Sequence, residues 1–337
     1  MDDINKTVIN NFISDLDDIA TNFIEIFQLK HTAQVSHLTE PLFRWLDFRL
    51  RYIDHMPRIV SFSNKFPKKL TKAAEKAFQD ILQKVQEGED INPYQGKGLI
   101  LHHDTSGKKR QNRTDLLWAD WGIIHLHLCD KPIPPGQYFS ERSKWLLFAL
   151  VGADFFAAID ILEHNEDNLF ENIELIEIVG ESWPELLAPY ELKRVIAPTT
   201  TPSSVDCKRF RKAGLSGFIT IGDKIYMGPG MGVSTASTST RVSMAVNNVR
   251  RYAKEFARMI SAFDSEFQLD VRSEKIDNPE FNLCITPRGM AVYKTNLDKA
   301  WLLPKKVPNS GFNYIADLND LVAPEWAVER VTFNNKK

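Results

Sequence analysis

Apolar residues recur at helical spacing near the N-terminus. Ile4, Val8, Phe12, Leu16, Ile19, Phe23 and Phe27 fall on one stripe, which predicts a helix over 3–29. A second helix is predicted from about Glu40 to Ile53, before Pro57. A third, charged and amphipathic, is predicted over about 69–87. It ends at Gly88, where a glycine can close a helix in the left-handed conformation. The first ninety residues therefore read as helical.

The pattern then changes. "GEDINPYQGKGL" is rich in turn residues, and "DTSGKKRQNRTD" is polar and basic. Thr114 is placed to cap a short helix. Beyond it, "IIHLHL" (123–128), "KWLLFALV" (144–151) and "FFAAIDIL" (155–162) carry strand character, the last two joined by "GAD" as a hairpin. "IELIEIVGESWPELL" (173–187) predicts a helix broken near Pro184, and "APTTTPSS" (197–204) has the composition of a linker. "CKRFRKAG" then predicts a short helix ending at Gly214, and "GFITIGDKIYM" a hairpin turning at Gly222–Asp223. Residues 241–263 predict a helix whose stripe is Val242, Ala245, Val246, Val249, Ala253, Phe256, Ile260 and Phe263. "FNLCITPRGMAVYKT" predicts a further hairpin. The expectation is an α+β chain in three parts: a helical region 1–90, a central domain 91–197 with an antiparallel sheet covered by helices, and a C-terminal α+β domain 205–337.

Composition narrows the function classes. The 337 residues include 21 phenylalanines and seven tryptophans, enough bulky surface for more than one core. A net charge of −2 excludes global attraction to nucleic acid, so any such contact must use a local patch. "KFPKKLTK" (65–72), "SGKKRQNR" (106–113) and "CKRFRK" (207–212) are the candidates. Cys129, Cys207 and Cys284 are too widely spaced for a zinc knuckle or a disulfide framework. The opening "MDDINKTVINNF" lacks the pattern of a signal peptide, and no apolar run approaches about 18 residues. The expectation is a cytoplasmic protein without a membrane partner.

The chemistry centres on "DLLWADWGIIHLHLCD" (115–130). On a strand, residues i and i+2 share a face, so His125 and His127 project together while Ile124, Leu126 and Leu128 face away. "AIDILEH" brings Asp160 and His164 toward the same edge if the strands pair, and Arg142 opens the strand between. Histidines with an arginine suffice for metal-independent RNA cleavage. One group takes the 2′-hydroxyl proton, one protonates the leaving 5′-oxygen, and a cation stabilises the phosphorane. The assignment is His127 as base, His125 or His164 as acid and Arg142 as stabiliser, with no cofactor and no bound metal. The bland counterpart is a set of buried histidines hydrogen-bonded to Trp118, Trp121 or Asp120.

Other readings compete. His102, His103 and Asp104 with His125 and His127 offer metal-ligand types, but no zinc signature frames them. Arg49 and His55 in "RLRYIDH" fit the spacing of helical HEPN ribonucleases, and a histidine near a helix C-terminus explains His55 equally well. "GPGMGVSTASTST", entering a helix, suits an anion cradle through Gly230, Gly232, Ser234 and Thr235, although it is not a P-loop. Lys108, Lys109, Arg110 and Arg113 complete the expected phosphate or RNA contacts.

The order of helices, "HLHL", "LLFALVGADFFAAIDIL" and His164 loosely resembles the toxin ribonucleases of the RelE and barnase–EndoU–colicin type over 115–180. That resemblance implies an antiparallel sheet bearing acid–base residues, RNA as substrate, and an antitoxin or regulatory protein as partner. "FRLRYIDHMPRIVSFS" with "DLLWADWGIIHLHL" resembles a group of uncharacterised bacterial proteins, which implies no chemistry. The leading expectation is a bacterial endoribonuclease of toxin or antiviral-defence type. The alternatives are a non-enzymatic nucleic-acid or protein-binding module with structural histidines, and a metal enzyme using the HxH strand.

Overall fold

The computed structural model describes residues 2–31, 40–102, 113–196, 202–234, 238–276, 279–295, 299–307 and 310–334. Contacts divide the chain into two compact units, one built from Met1–Arg49 with Val242–Lys337 and one from Leu50–Arg241. Neither boundary coincides with those read from composition. In chain order, α1 (Asp2–Ile26) and α2 (Pro41–Arg51) come first. They are followed by β1 (Ile59–Phe62), α3 (Lys72–Glu87), α4 (Gly98–Leu101), α5 (Leu116–Trp121), β2 (Ile124–His127), β3 (Trp145–Val151) and β4 (Phe155–Glu163). Next are α6 (Glu174–Ser182), α7 (Pro184–Leu187), α8 (Ser204–Lys212), β5 (Ile219–Ile221) and β6 (Lys224–Tyr226). The last are α9 (Thr240–Ser261), α10 (Glu266–Ser273), β7 (Phe281–Thr286), β8 (Gly289–Lys294), β9 (Lys299–Leu302), α11 (Tyr314–Val322) and α12 (Glu325–Asn334). The class is α+β, as expected. Among the described residues no helix is long and apolar enough to cross a membrane.

In the discontinuous unit the α1 stripe buries Val8, Phe12, Leu16, Ile19 and Phe23. The helix is tied to β7 by polar contacts. The Asp15 carboxylate accepts from the Leu283 amide at 2.6 Å and from Asn282 Nδ2 at 3.3 Å. Burial pushes that carboxyl above its usual range, and these hydrogen bonds oppose the shift. Trp45 stacks on Phe23 with centroids 4.5 Å apart, and its indole N–H donates to the Val322 carbonyl at 2.8 Å. A buried indole N–H without that acceptor would be a desolvated orphan. The sheet here is β7-β8-β9, antiparallel throughout.

The continuous unit holds a four-stranded sheet in the order β1-β4-β3-β2. It is mixed rather than purely antiparallel, because β1 runs parallel to β4. β1 lies in the region that reads as helical. At four residues, it is too short for its alternation to register. One face packs Leu146, Phe148, Leu150, Ala157 and Ile159 against Leu175, Ile176 and Val179 of α6 and Leu117 and Trp121 of α5.

Helix α5 is capped at both ends by its neighbours. Asp115, not Thr114, is the N-cap, accepting from the Leu117 and Trp118 amides at 2.9 and 3.1 Å. At the other end the glycine-rich turn "GPGMG" supplies donors. The Gly230 amide reaches the Asp120 carbonyl at 3.1 Å and the Gly232 amide the Ala119 carbonyl at 2.8 Å. Backbone meets backbone so closely that a Cβ on Gly230 would stand 2.3 Å from the Trp118 carbonyl oxygen. Gly230→Ala is therefore expected to destabilise the protein by about 1–3 kcal/mol, the range for overpacking. Gly311→Ala, where a Cβ meets nothing within 4 Å, should leave stability nearly unchanged. Urea unfolding of the two variants checks this; equal midpoints would contradict it.

Candidate active site

The register of three strands decides which side chains meet. His125 stands opposite Phe148 and His127 opposite Leu146. Phe148 stands opposite Asp160 and Leu146 opposite Leu162. Directly opposed residues share a face, and His164 lies two residues past Leu162, so His125, His127 and His164 project from the same face. The His164 amide continues the ladder, donating to the Lys144 carbonyl at 2.7 Å.

The imidazoles converge at one end of that face. His127 and His164 stack with centroids 5.7 Å apart and planes 23° from parallel. His125 and His127 meet edge to face at 6.2 Å and 79°. Phe170, in the 3₁₀ turn Leu169–Glu171, turns its ring edgewise to His125 at 5.1 Å and to His164 at 6.3 Å. Arg142 stands exposed just before β3, and its charge acts on both His127 and His164.

Burial sets the electrostatics. The strand does not present an open imidazole front: all four β2 residues are buried, His125 and His127 only 8% and 7% exposed. Loss of water lowers the His127 pKa to about 3, helped by the neighbouring His125, His164 and Arg142. The half-buried His164 is also lowered, first by burial and then by Arg142, against a hydrogen bond with Asn165. Both rings are neutral at pH 7. The Ser143 amide points at His127 Nδ1 from 3.4 Å, so Nδ1 is the acceptor and Nε2 carries the hydrogen. Gly96, at φ +89°, lies beside that nitrogen; a Cβ there would stand 3.6 Å from Nε2. On the other ring, His125 Nδ1 lies 3.4 Å from Asp115 Oδ2, which fixes its orientation.

The remaining expectations fall out in several ways. Asp160 shares the histidine face, but four strand residues, about 13 Å, separate it from His164. Desolvation pushes its carboxyl up to about 6. Asp120 does not serve the histidines. It pairs with Arg211 of α8 at 2.9 Å in full burial, with the guanidinium 4.2 Å over the Trp121 ring. Arg211 also donates to the Phe170 carbonyl at 2.5 Å, which anchors the turn that carries Phe170. Gly230 and Gly232 spend their amides on α5, and the Ser234 hydroxyl meets that of Thr238 at 2.7 Å. Capping thus accounts for this segment without an anion. Arg113 is half-buried, just before the α5 cap. His103, Asp104, Lys108, Lys109, Arg110 and Thr235 lie outside the described residues.

Among the described residues no three His, Cys, Asp or Glu side chains are grouped to hold one metal ion. The HEPN pair has separate structural partners. Arg49 lies against Trp326 and Asp320 in the discontinuous unit. His55 meets Tyr52 at 2.9 Å and Asp90 at 3.3 Å in the continuous one.

Sequence reasoning missed Asp115, Gly96, Ser143 and Phe170. An aspartate beginning "DLLWADW" was a readable cap signal. The other three are joined to the histidines only by tertiary packing.

The His127 shift has a consequence for stability. The unfolded imidazole takes a proton near pH 6.5 and the folded one only near 3, so His127 favours unfolding increasingly as pH falls through that window. Asp160, whose folded carboxyl titrates near 6, acts in the opposite direction between about 6 and 3.8. The difference between parent and variant isolates His127. His127→Gln should gain on the parent by up to about 1.4 kcal/mol per pH unit below 6.5. Denaturation midpoints at pH 7, 6 and 5 measure this, and a constant difference would contradict it. No protein-family model matches the chain, and no curated protein and no solved structure matches it.

Proposed function

We propose that the unit Leu50–Arg241 is a metal-independent endoribonuclease, a hydrolase of toxin or phage-defence type acting on RNA in the cytoplasm. The observation that carries this reading is the meeting of His127, on β2, and His164, just past the end of β4, under the charge of Arg142. The tautomer and the burial alter the division of labour. His127, with Nδ1 engaged and Nε2–H directed past Gly96, is a neutral hydrogen-bond donor for a phosphoryl oxygen. His164 is the more exposed ring and is neutral at pH 7, so it is the base for the 2′-hydroxyl. Arg142 stabilises the phosphorane charge, and the leaving 5′-oxygen takes its proton from solvent. An antitoxin or regulatory protein that covers Arg142 and His164 fits the same reading.

A second reading, a nucleic-acid or protein-binding module with structural histidines, is favoured by the deep burial of His125 and His127. One experiment separates the two. Purified full-length protein is incubated with labelled RNA, with and without EDTA, beside His164→Ala and Arg142→Gln. Cleavage should survive EDTA, fall about 10²–10⁴-fold in His164→Ala, and fall on the order of 10²-fold or more in Arg142→Gln. RNA retained without cleavage by every protein would establish the second reading instead.

The pH profile follows from the same assignment. A base whose pKa lies below 6.5 is already deprotonated at neutrality. The cleavage rate should climb with pH to an inflection below 6.5 and stay level through pH 7.5. A rate still rising between pH 7 and 8 would remove His164 from the base role.

A further inference from the structure

The connection from β2 to β3, residues 128–144, carries two groups of the candidate site. They are the exposed Arg142 and the Ser143 amide that points at His127 Nδ1. Several of its hydrogen bonds are local. The Gln137 amide donates to the Pro134 carbonyl at 3.0 Å, Lys131 pairs with Glu141 at 2.9 Å, and the Ser143 hydroxyl donates to the Leu128 carbonyl at 2.5 Å. A long exposed side chain on such a loop has many orientations, so something must set where its charge stands.

Two hydrogen bonds from the middle of the loop reach a firmer element. The Ser140 amide donates to the Pro93 carbonyl at 3.0 Å, and the Tyr138 hydroxyl donates to Asp90 Oδ2 at 2.7 Å. Both acceptors belong to the segment that follows α3, and Asn92 anchors that segment. Its side chain is fully buried. Asn92 Oδ1 accepts from the Ile53 amide and Nδ2 donates to the Ile53 carbonyl, each at 2.8 Å. The same segment runs on to Gly96, beside His127 Nε2. One anchored stretch thus forms a wall against His127 and holds the loop that bears Arg142.

Asp90 is built to hold that tie. Its Oδ1 accepts from the Asn92 amide at 2.9 Å and from Asn92 Nδ2 at 2.8 Å, and it faces His55 Nε2 at 3.3 Å. Burial would raise this carboxyl, but the bonds with His55, Tyr138 and Asn92 outweigh it and hold the group below the usual carboxylate range. Burial, with Tyr52 and Asp90 alongside, pushes the Tyr138 hydroxyl up. At neutral pH the pair is therefore an ionised acceptor and a protonated donor, the stronger kind of hydrogen bond.

We propose that the Tyr138–Asp90 hydrogen bond is a latch that sets Arg142 over His127 and His164, which makes Tyr138 and Asp90 positioning residues of the candidate site. Its effect on cleavage rests on the endoribonuclease reading; its effect on the histidines does not. The latch lies outside the sheet, so opening it frees the loop while β2, β3 and β4 keep their register.

The test is NMR titration of His164 in the full-length protein at low ionic strength, with the signal assigned by its loss in His164→Ala. Burial disfavours the proton on this ring, Arg142 adds to that, and the hydrogen bond with Asn165 opposes both. Tyr138→Phe removes the hydroxyl and keeps the ring, at a position 40% exposed. Its His164 midpoint should rise by at least about 0.3 pH unit, about twofold in proton affinity. The rise should vanish when Arg142→Gln is already present, whereas a general loosening would move the midpoint in both backgrounds. An unchanged midpoint in Tyr138→Phe, or an equal rise in the Arg142→Gln background, would overturn the proposal. Where the parent cleaves RNA, Tyr138→Phe should lose on the order of tenfold in rate, and parental activity in that variant would also overturn it. A parent that cleaves no RNA removes the endoribonuclease reading alone, and the titration then decides the latch.

Discussion

The pairing register of β2, β3 and β4 is the constraint on which the candidate site rests. Side chains alternate with a period of two, so a slip of one residue in β2 would send both histidines to the other face and bring Leu126 in their place. The register is held by burial on both sides. Leu126 and Leu147 pack on one face and Phe148 with Leu146 on the other, all fully or almost fully buried. The core that keeps the strands in place also takes water away from the imidazoles, and this lowers the His127 pKa. Packing and chemistry here share one cause.

That cause explains how much could be read from the chain. Strands β2, β3 and β4 were legible because their apolar runs are long or alternate cleanly, and the i, i+2 rule placed His125 and His127 together correctly. His164 joined them because "AIDILEH" continues the same alternation past the strand end. What could not be read was the second cover. Nothing local says that Phe170 and α6 lie over the histidine face, so an acid–base front and a set of buried histidines stayed open as alternatives. The glycine-rich segment misled for a similar reason. Amides that suit an anion equally suit the carbonyl end of a short helix, and α5 lies more than a hundred residues earlier in the chain. β1 escaped notice because four residues carry too little pattern.

The buried Asp120–Arg211 pair shows how distant segments are joined behind the site. Desolvation raises the Asp120 carboxyl, and Arg211 opposes that shift at 2.9 Å. Such a pair adds little net stability compared with apolar residues of the same size, yet removing one member strands the other at about 3–5 kcal/mol. Its value lies in position. Arg211 holds the Phe170 carbonyl, and the Phe170 ring touches two of the three histidines. Helix α8 therefore acts on the histidines through one turn, without contacting their rings.

The division of one unit into two chain segments bears on the order in which the protein can fold. Asp15 finds its partner Leu283 across 268 positions, and Trp45 finds Val322 across 277. During synthesis, residues 50–241 emerge as an uninterrupted stretch and can collapse while α1 still waits for β7. The cost of closing so long a loop rises only with the logarithm of its length, and a compact intervening unit shortens the effective span. Ribosome-bound chains would then pass through a stage in which the Phe12–Phe23 stripe of α1 stands uncovered, and that stripe is the natural handle for a chaperone.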